Sequence, residues 1–548
     1  MTTQYTAERG IDSAPVPSSV LRTRVDPTSE AFVRNAAANR VLLDEVAALL
    51  ADAAAGGGPD KVARHRDRGK LTIRERIELM LDRDAPFLEL SPLMAWGSEY
   101  DIGGSVVQGI GRVSGVECVI SGADPTVKGG SLNPYSLRKT LRGLEIARQN
   151  RLPYINCTES GGADLRAQGQ TFILGGEYFK RITALSKAHI PTLSVVFGSS
   201  TAGGAYVPGM SDYSILIKDR SKVFLGGPPL VKMATGEVST DEELGGAEMH
   251  ATVSGLGDYL AEDETDAIRM ARDVVAHLNW RKRGYGPTLP PDEPLYPAED
   301  LLGTVSADPK EPFDVREVLA RSLDGSRFEE FKPGYGNNLV TGWGSIHGYV
   351  VGVLGNNGVL FSEDAQKGAQ FIQLCNQQDI PILFLQNITG FMVGARYERG
   401  GIIKDGAKLI NAVTNSEVPH ITLMIGASYG AGNYGMAGRA YDPRFVFTYP
   451  SHRIAVMGPT QLAGVMEIVA EASARGRGEE WTADRGEAIR SRYEKQISEE
   501  SVALNATAQG WDDGIIDPRD TRTVLGLALS AVHNGPVLGA AGFGVFRM

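Results

Sequence analysis

The sequence predicts an α/β protein built from two copies of one unit, and three observations carry that prediction. Short β-branched apolar runs alternate with longer helical patterns through most of the chain. Two stretches share one layout: "PTLSVVFGSSTAGGAYVPGM" (191–210) and "PHITLMIGASYGAGNYGM" (419–436). Each runs from a proline through an apolar strand to a glycine, small residues and an aromatic. The register of this likeness is constant. Pro153 and Pro381 are 381 − 153 = 228 residues apart, and so are Pro191 and Pro419, Gly198 and Gly426, and Gly204 and Gly432. Four anchors in one register over about fifty residues read as a duplicated unit.

The elements follow in order. A polar N-terminal arm with helical segments, "SEAFVRNAAANRVLLDEVAALLADAAAGGG" (29–58), ends in a flexible glycine run. Short strands and turns come next, then alternating strands and helices. The Pro-rich acidic stretch "GYGPTLPPDEPLYPAEDLLG" (284–303) reads as a linker, and the βα pattern resumes after it. The division expected is an arm over 1–50, a first domain over 51–300 and a second over 301–548.

With 548 residues, the chain exceeds what one core usually organises. Its composition is that of a globular protein, 42% hydrophobic and 22% charged, but 66 glycines mark many close backbone approaches. A net charge of −11 and the lack of a basic stripe argue against a nucleic-acid partner. Three scattered cysteines without CxxC or HExxH spacing point away from disulfides and from a metal site. The start, "MTTQYTAERGIDSAPVPSS", has no apolar core for a signal, and no run of 18 uncharged apolar residues occurs. A cytoplasmic protein without a membrane span is expected. The cluster "RHRDRGK" (64–70) reads either as a solvated helix or as a patch for a few ligand phosphates.

The small-residue turns admit three chemical readings. "GASYG" matches G-x-S-x-G, a serine-hydrolase elbow at Ser428, but His452 and His533 have no telling context, and the copy "GSSTA" lacks the final glycine. "GAGNYG" (430–435) matches a dinucleotide fingerprint, but the acidic residue about twenty positions on is missing. The third reading is an oxyanion hole. Backbone N–H groups at a strand-to-helix turn meet a developing oxyanion, and small residues let it approach. Two copies of the turn would serve two oxyanions. Tight helix–sheet packing is the purely structural reading of either turn alone.

Longer motifs add a resemblance. "TAGGAYVPGMSDYSILI", "VFLGGPPLVKMATGEVSTDEELGGAEMH" and "NNGVLFSEDAQKGAQFIQLCNQQDIPILFLQNITGFMVG" resemble the carboxyltransferase (β) subunits of biotin-dependent acyl-CoA carboxylases. "SYGAGNYGMAGRAYDPRF", "WDDGIIDPRDTRTVLGL" and "FGVFRM" look like the 3-methylcrotonyl-CoA carboxylase branch. The likeness runs from about Arg68 to Met548.

It implies two tandem crotonase-like spiral domains of ββα units and a ligase that moves CO₂ from carboxybiotin to an acyl-CoA. Biotin itself would act as the base, so no metal and no protein base are expected. By the same resemblance, Gly203 and Gly204 form the hole for the thioester, and Ala431 and Gly432 form the hole for the biotin ureido oxygen. Tyr429 and Gly430 flank the biotin side. Arg68, Lys70, Lys128, Gly129, Gly130 and Ser131 bind CoA, while Ser160, Gly161, Gly162 and Ala163 line the acyl pocket. A biotin-bearing α subunit is the implied partner, around a homo-hexamer. "RAQGQTFILGGEYFKRITALSKAHI" after "ESGGADL" departs from the branch beside the acyl pocket, and 467–496 is only loosely similar. Geranyl-CoA or a longer branched acyl-CoA is therefore the alternative substrate.

Overall fold

The computed structural model describes residues 20–548; the N-terminal stretch read for a signal lies outside the described residues. Two sheets dominate, one of eight strands within 87–261 and one of seven within 329–455. Each begins with an antiparallel hairpin and continues in parallel strands. In the first, Val106–Val113 and Val116–Ala123 are followed by Tyr154–Ser160, Thr192–Thr201 and Tyr213–Ile217. In the second, Leu339–Ile346 and Tyr349–Asn356 are followed by Ile382–Ile388, His420–Tyr429 and Phe445–Thr448.

The repeat extends well beyond its four sequence anchors. Both hairpins turn on two residues of positive φ, Ser114-Gly115 (47° and 82°) and His347-Gly348 (49° and 80°). That is the geometry a two-residue hairpin loop requires. An aspartate holds each turn: Asp82 accepts from the amides of Ser114 and Gly115, and Asp324 from those of His347 and Gly348. A buried lysine closes each unit from the helix behind the hairpin. Lys139 donates to Val106 O at 2.7 Å, and Lys367, 228 residues on, donates to Leu339 O at 2.8 Å. Burial pulls Lys139 down to about 8. Parallel pairing slips between Thr158 and Ser160 in one sheet, and between Gln386 and Ile388 in the other.

The halves share one apolar cluster. Leu137, Leu141 and Tyr178 of the first half belong to it together with Ile421, Phe447 and Leu525 of the second. An ion pair crosses the same seam. Arg142, on helix Pro134–Asn150, donates to both oxygens of Asp513 at 2.8 and 3.0 Å and to Arg444 O at 2.8 Å. Arg439 meets Asp513 from the other side at 2.9 Å. Asn279 to Pro297 runs without helix or strand. Helix Glu30–Ala54, capped by Ser29, runs across residue 50 and lies on the second half, where Asn39 donates to Leu302 O and Val305 O. Just beyond it, the Gly57 amide donates to Thr126 Oγ1 of the first half, so the arm straps the two together.

Asp512 adjoins the clamp and is fully buried, and burial pushes its carboxyl up to about 7. Its unfolded value is about 3.9. Between these values the unfolded chain releases a proton that the folded chain retains, so this group lowers stability as pH rises from about 4 to 7. Asp513 has the opposite sign. Burial alone would raise it, but Arg142 and Arg439 hold it at about 2, so its contribution is lost only as pH falls towards that value. Asp512→Asn is therefore expected to flatten the decline of Tm between pH 5 and 7, measured by calorimetry.

Candidate active site

Each long central strand ends in the same kink. Ala202 follows Thr192–Thr201 with φ of 54°, and Gly430 follows His420–Tyr429 with φ of 58°. The two positions are equivalent in the repeat. For a residue with a Cβ the left-handed region costs about 1–2 kcal/mol, so Ala202 is held there by its surroundings. Gly203 and Gly204 come next in a short 3₁₀ turn, and Ala431 and Gly432 in a five-residue helix. The first N–H groups of such turns have no partner within the turn. The two kinks thus start short helical turns at matched places.

The strands below these turns are shaped alike. A Cβ at Gly198 would lie 2.5 Å from Glu159 Oε1, and one at Gly426 would fall on Asn387 Oδ1. Glycine is present because a polar side chain of the neighbouring strand crosses the backbone there. The turns differ in room. A Cβ at Gly204 would meet only Ser200 Oγ at 3.6 Å, whereas one at Gly432 would lie 2.6 Å from Ile388 Cγ1.

Around the first turn the predicted segments come together. Gly161 N donates to Gly129 O, Leu132 N to Gly162 O, and Asp164 N to Leu132 O, which zips 128–132 to 159–164. Ser160 Oγ accepts from Gly162 N at 3.1 Å, so its side chain shapes the loop. Gly162 has φ of 100°, and a Cβ there would lie 3.5 Å from Thr201 O, at the edge of the kink. Ala163 is exposed, and Ser131 O accepts from Ser105 Oγ at 3.1 Å.

A cleft of about 260 Å³ opens beside Lys128 and Gly129, lined also by Lys61, Arg64, His65 and Arg68. Lys128 faces Asp101 at 3.6 Å across an exposed pair, a weak contact. Lys61, Arg64 and Arg68 have no ion-pair partner among the described residues. Lys70 is turned away into an ion pair with Glu159, its charge already engaged. Lys61 was not singled out in the sequence, and Arg64 and His65 only as members of a cluster. The signal was the cluster "RHRDRGK", whose phosphate reading becomes concrete once Lys128 is seen across the cleft.

Residues 64–544 match the carboxyl transferase domain. The chain belongs to the carboxyl transferase family. It is 60% identical over 96% of its length, and all of the relative's, to a probable biotin-dependent acyl-coenzyme A carboxylase β2 subunit of Mycobacterium tuberculosis. It is 48% identical to the biotin-dependent 3-methylcrotonyl-coenzyme A carboxylase β1 subunit of the same organism, covering 93% and 97% of the two chains. The β subunit of geranyl-CoA carboxylase from P. aeruginosa superposes with a TM-score of 0.87 at 44% identity, covering 97% of this chain and all of that one. The two-sheet α/β architecture is that of this carboxyltransferase fold.

Within a carboxyltransferase, the serine and histidines of the competing reading have structural tasks. Ser428 is fully buried. Its hydroxyl donates to Gln386 Oε1 at 2.6 Å and accepts from Asn433 Nδ2 at 2.8 Å. Those contacts leave it without a histidine base. Nδ1 of His452 hydrogen-bonds Gly426 O at 2.6 Å, and that of His533 hydrogen-bonds Leu529 O at 2.7 Å. Burial pulls His452 down to about 4. Tyr429 is buried too, and the Gly430 amide is spent on Ala455 O at 3.1 Å.

These contacts set expectations for substitution. Gly204→Ala should fold with a Tm close to that of the parent. Gly432→Ala should lose about 1–3 kcal/mol as Ile388 is displaced, which calorimetry can read. Ser428→Ala should resist labelling by fluorophosphonates, as should the parent, and should keep most carboxyl-transfer activity.

Proposed function

We propose that this carboxyltransferase carboxylates 3-methylcrotonyl-CoA, or else geranyl-CoA or a longer branched acyl-CoA, with carboxybiotin as donor. The observation that carries the reading is the pairing of two equivalent backbone turns with a cleft rich in basic residues beside the first of them. The equivalent loop of the second half, between Asn356 and Leu360, is five residues shorter than the loop over 123–132 that bears Lys128, and it carries no lysine or arginine. A polyanionic CoA is therefore assigned to the first half and biotin to the second.

Each residue then has a task. Lys61, Arg64, Arg68 and Lys128 meet the CoA phosphates, and Gly129 and Gly130 let the backbone approach. Ser160, Gly161, Gly162 and Ala163 line the path of the acyl group. The Gly203 and Gly204 amides donate to the thioester oxygen as negative charge develops there. The Ala431 and Gly432 amides donate to the biotin ureido oxygen. The second turn suits that group, because Ala431 and Gly432 carry at most one methyl between them. Carboxybiotin, when delivered by a partner, supplies both the CO₂ and the base. Each backbone donor is worth about 2.7–4 kcal/mol in the transition state, so two turns are a sufficient catalytic framework without an ionisable side chain.

The proposal extends to assembly and setting. Leu165 and its repeat partner Val393 are 78% and 75% exposed, and Leu225 and Val456, each just past a strand beside its turn, are 59% and 86% exposed. Apolar surface at both turns supports coverage by further subunits, in keeping with a homo-hexamer and a biotin-bearing α subunit. A cytoplasmic setting accords with the composition and three free, buried cysteines. Among the described residues no helix is long and apolar enough to cross a membrane.

The direct test is carboxylation with the cognate biotin subunit and a panel of acyl-CoA thioesters. Turnover of 3-methylcrotonyl-CoA is expected; preference for geranyl-CoA selects the second reading, and no turnover of any thioester defeats both. Arg64→Glu combined with Lys128→Glu should raise KM for acyl-CoA by about tenfold or more while leaving the KM of an acyl-pantetheine unchanged. Light scattering should find an assembly far above 58.7 kDa, and Val456→Arg should shift it to smaller species.

A further inference from the structure

We infer that Glu159 is a positioning residue that couples occupancy of the basic cleft to the geometry of the first turn. The inference rests on the acyl-CoA reading above for its ligand, but its geometry stands apart.

Glu159 sits one residue before the end of strand Tyr154–Ser160, and its side chain is about 10% exposed. It touches three parts of the site at once. Its carboxylate crosses the backbone of the central strand at Gly198, four residues before the kink at Ala202. Its Oε1 accepts from Lys70 Nζ, on the loop that follows Arg68. Its carbonyl packs where a Cβ on Gly130 would stand, so it also abuts the turn bearing Lys128. One residue therefore contacts both walls of the cleft and the strand that carries the donors.

A rigid frame backs these contacts. Arg76 is completely buried; Nη1 lies 2.8 Å from Glu159 Oε2, and Nε and Nη2 donate to Glu264 at 2.9 and 3.0 Å. The Arg76 guanidinium stacks 4.3 Å from the ring centre of Phe197, next to Gly198. Arg220 donates to Gly69 O at 2.7 Å and reaches Glu264 at 3.4 Å, while Leu71 N donates to Glu264 at 3.2 Å. The loop 69–71 is thus tied from below, whereas Arg64 and Arg68 stand free on its open side. The network holds three cations, Lys70, Arg76 and Arg220, against two carboxylates, Glu159 and Glu264. Burial would raise the Glu159 carboxyl, but Arg76 and Lys70 more than offset it and keep it ionised. An anion entering the cleft completes the charge balance and draws Lys70 and its loop with it.

The second half supplies the comparison. Asn387 occupies the position of Glu159, crosses Gly426 in the same way, and accepts from Ala427 N at 3.3 Å. A neutral amide is enough to pack that strand crossing. The charge at Glu159 is not needed for the strand crossing itself; it balances the buried Arg76 and occurs in the half with the phosphate cleft.

The test uses the full chain and adenosine 3′,5′-bisphosphate, which carries CoA's ribose phosphates but no pantetheine arm, so it cannot reach the turn. In the parent, the bisphosphate should slow hydrogen exchange of the 203–206 amides by about threefold or more. In Glu159→Gln it should still bind, but the slowing should vanish. No slowing in the parent, or equal slowing in both proteins, would overturn the coupling. Should Glu159→Gln fail to fold, Lys70→Met breaks the same link from its exposed end and is read in the same way. Kinetics give a second readout. Glu159→Gln should lower kcat for acyl-CoA about tenfold while changing that for the matching acyl-pantetheine less than about twofold. Equal losses on both substrates would reduce Glu159 to a structural role. A parent that shows the exchange effect but turns over no thioester would refute the proposed function and leave the coupling intact.

Discussion

On the proposed reading, everything in this molecule answers to one constraint: two pairs of backbone amides must be aimed from the ends of two strands. A backbone donor cannot be aimed by choosing a rotamer. Its direction comes from the kink before it, from the side chain packed under its strand, and from the sheet that fixes the strand. Ala202 and Gly430 provide the kinks. Glu159 and Asn387, lying over Gly198 and Gly426, provide the packing. Ile388 presses directly beneath Gly432, and Ser200 Oγ donates to Gly204 O at 2.9 Å. The residues nearest the chemistry carry almost no side chain, so the specificity of the arrangement has moved one layer outwards.

That displacement explains what could be read in the sequence. The duplicated turn was legible, because proline, apolar strand, glycine and small residues recur in a fixed register. The α/β class followed from strand and helix periods. The Arg142–Asp513 clamp was not legible: its partners are 371 residues apart, and neither lies in a motif with a local period. The Lys70–Glu159 pair was hidden for a similar reason. From sequence, Lys70 belonged with Arg68 as a free cation, and only the fold shows that the two neighbours face opposite ways. Ser428 was ambiguous until Gln386 and Asn433 were seen to occupy its hydroxyl.

The two halves have also diverged in a consistent direction. Hairpin turns, aspartate anchors, buried lysines and strand slips are kept in both. Charge is kept in one. The loop that bears Lys128 is five residues shorter in the second half and has no cation there, and Glu159 corresponds to Asn387. Under the proposed function the common scaffold would set the backbone donors, and a few ionisable residues would decide which half receives a polyanion. The shared apolar cluster and the Arg142 clamp keep the halves from behaving as independent bodies, so the distance between the two turns is part of the fold.

The strap formed by helix Glu30–Ala54 bears on how the chain is made. Asn39 leaves the ribosome early, yet its acceptor Val305 O lies 266 residues downstream. At about 5–20 residues per second, synthesis separates the two by roughly 13–50 s. During that interval the face of the helix that later covers Leu302 and Val305 has no seat. The nascent first half must keep its own leading segment unengaged, a demand on chaperones that the finished enzyme no longer shows.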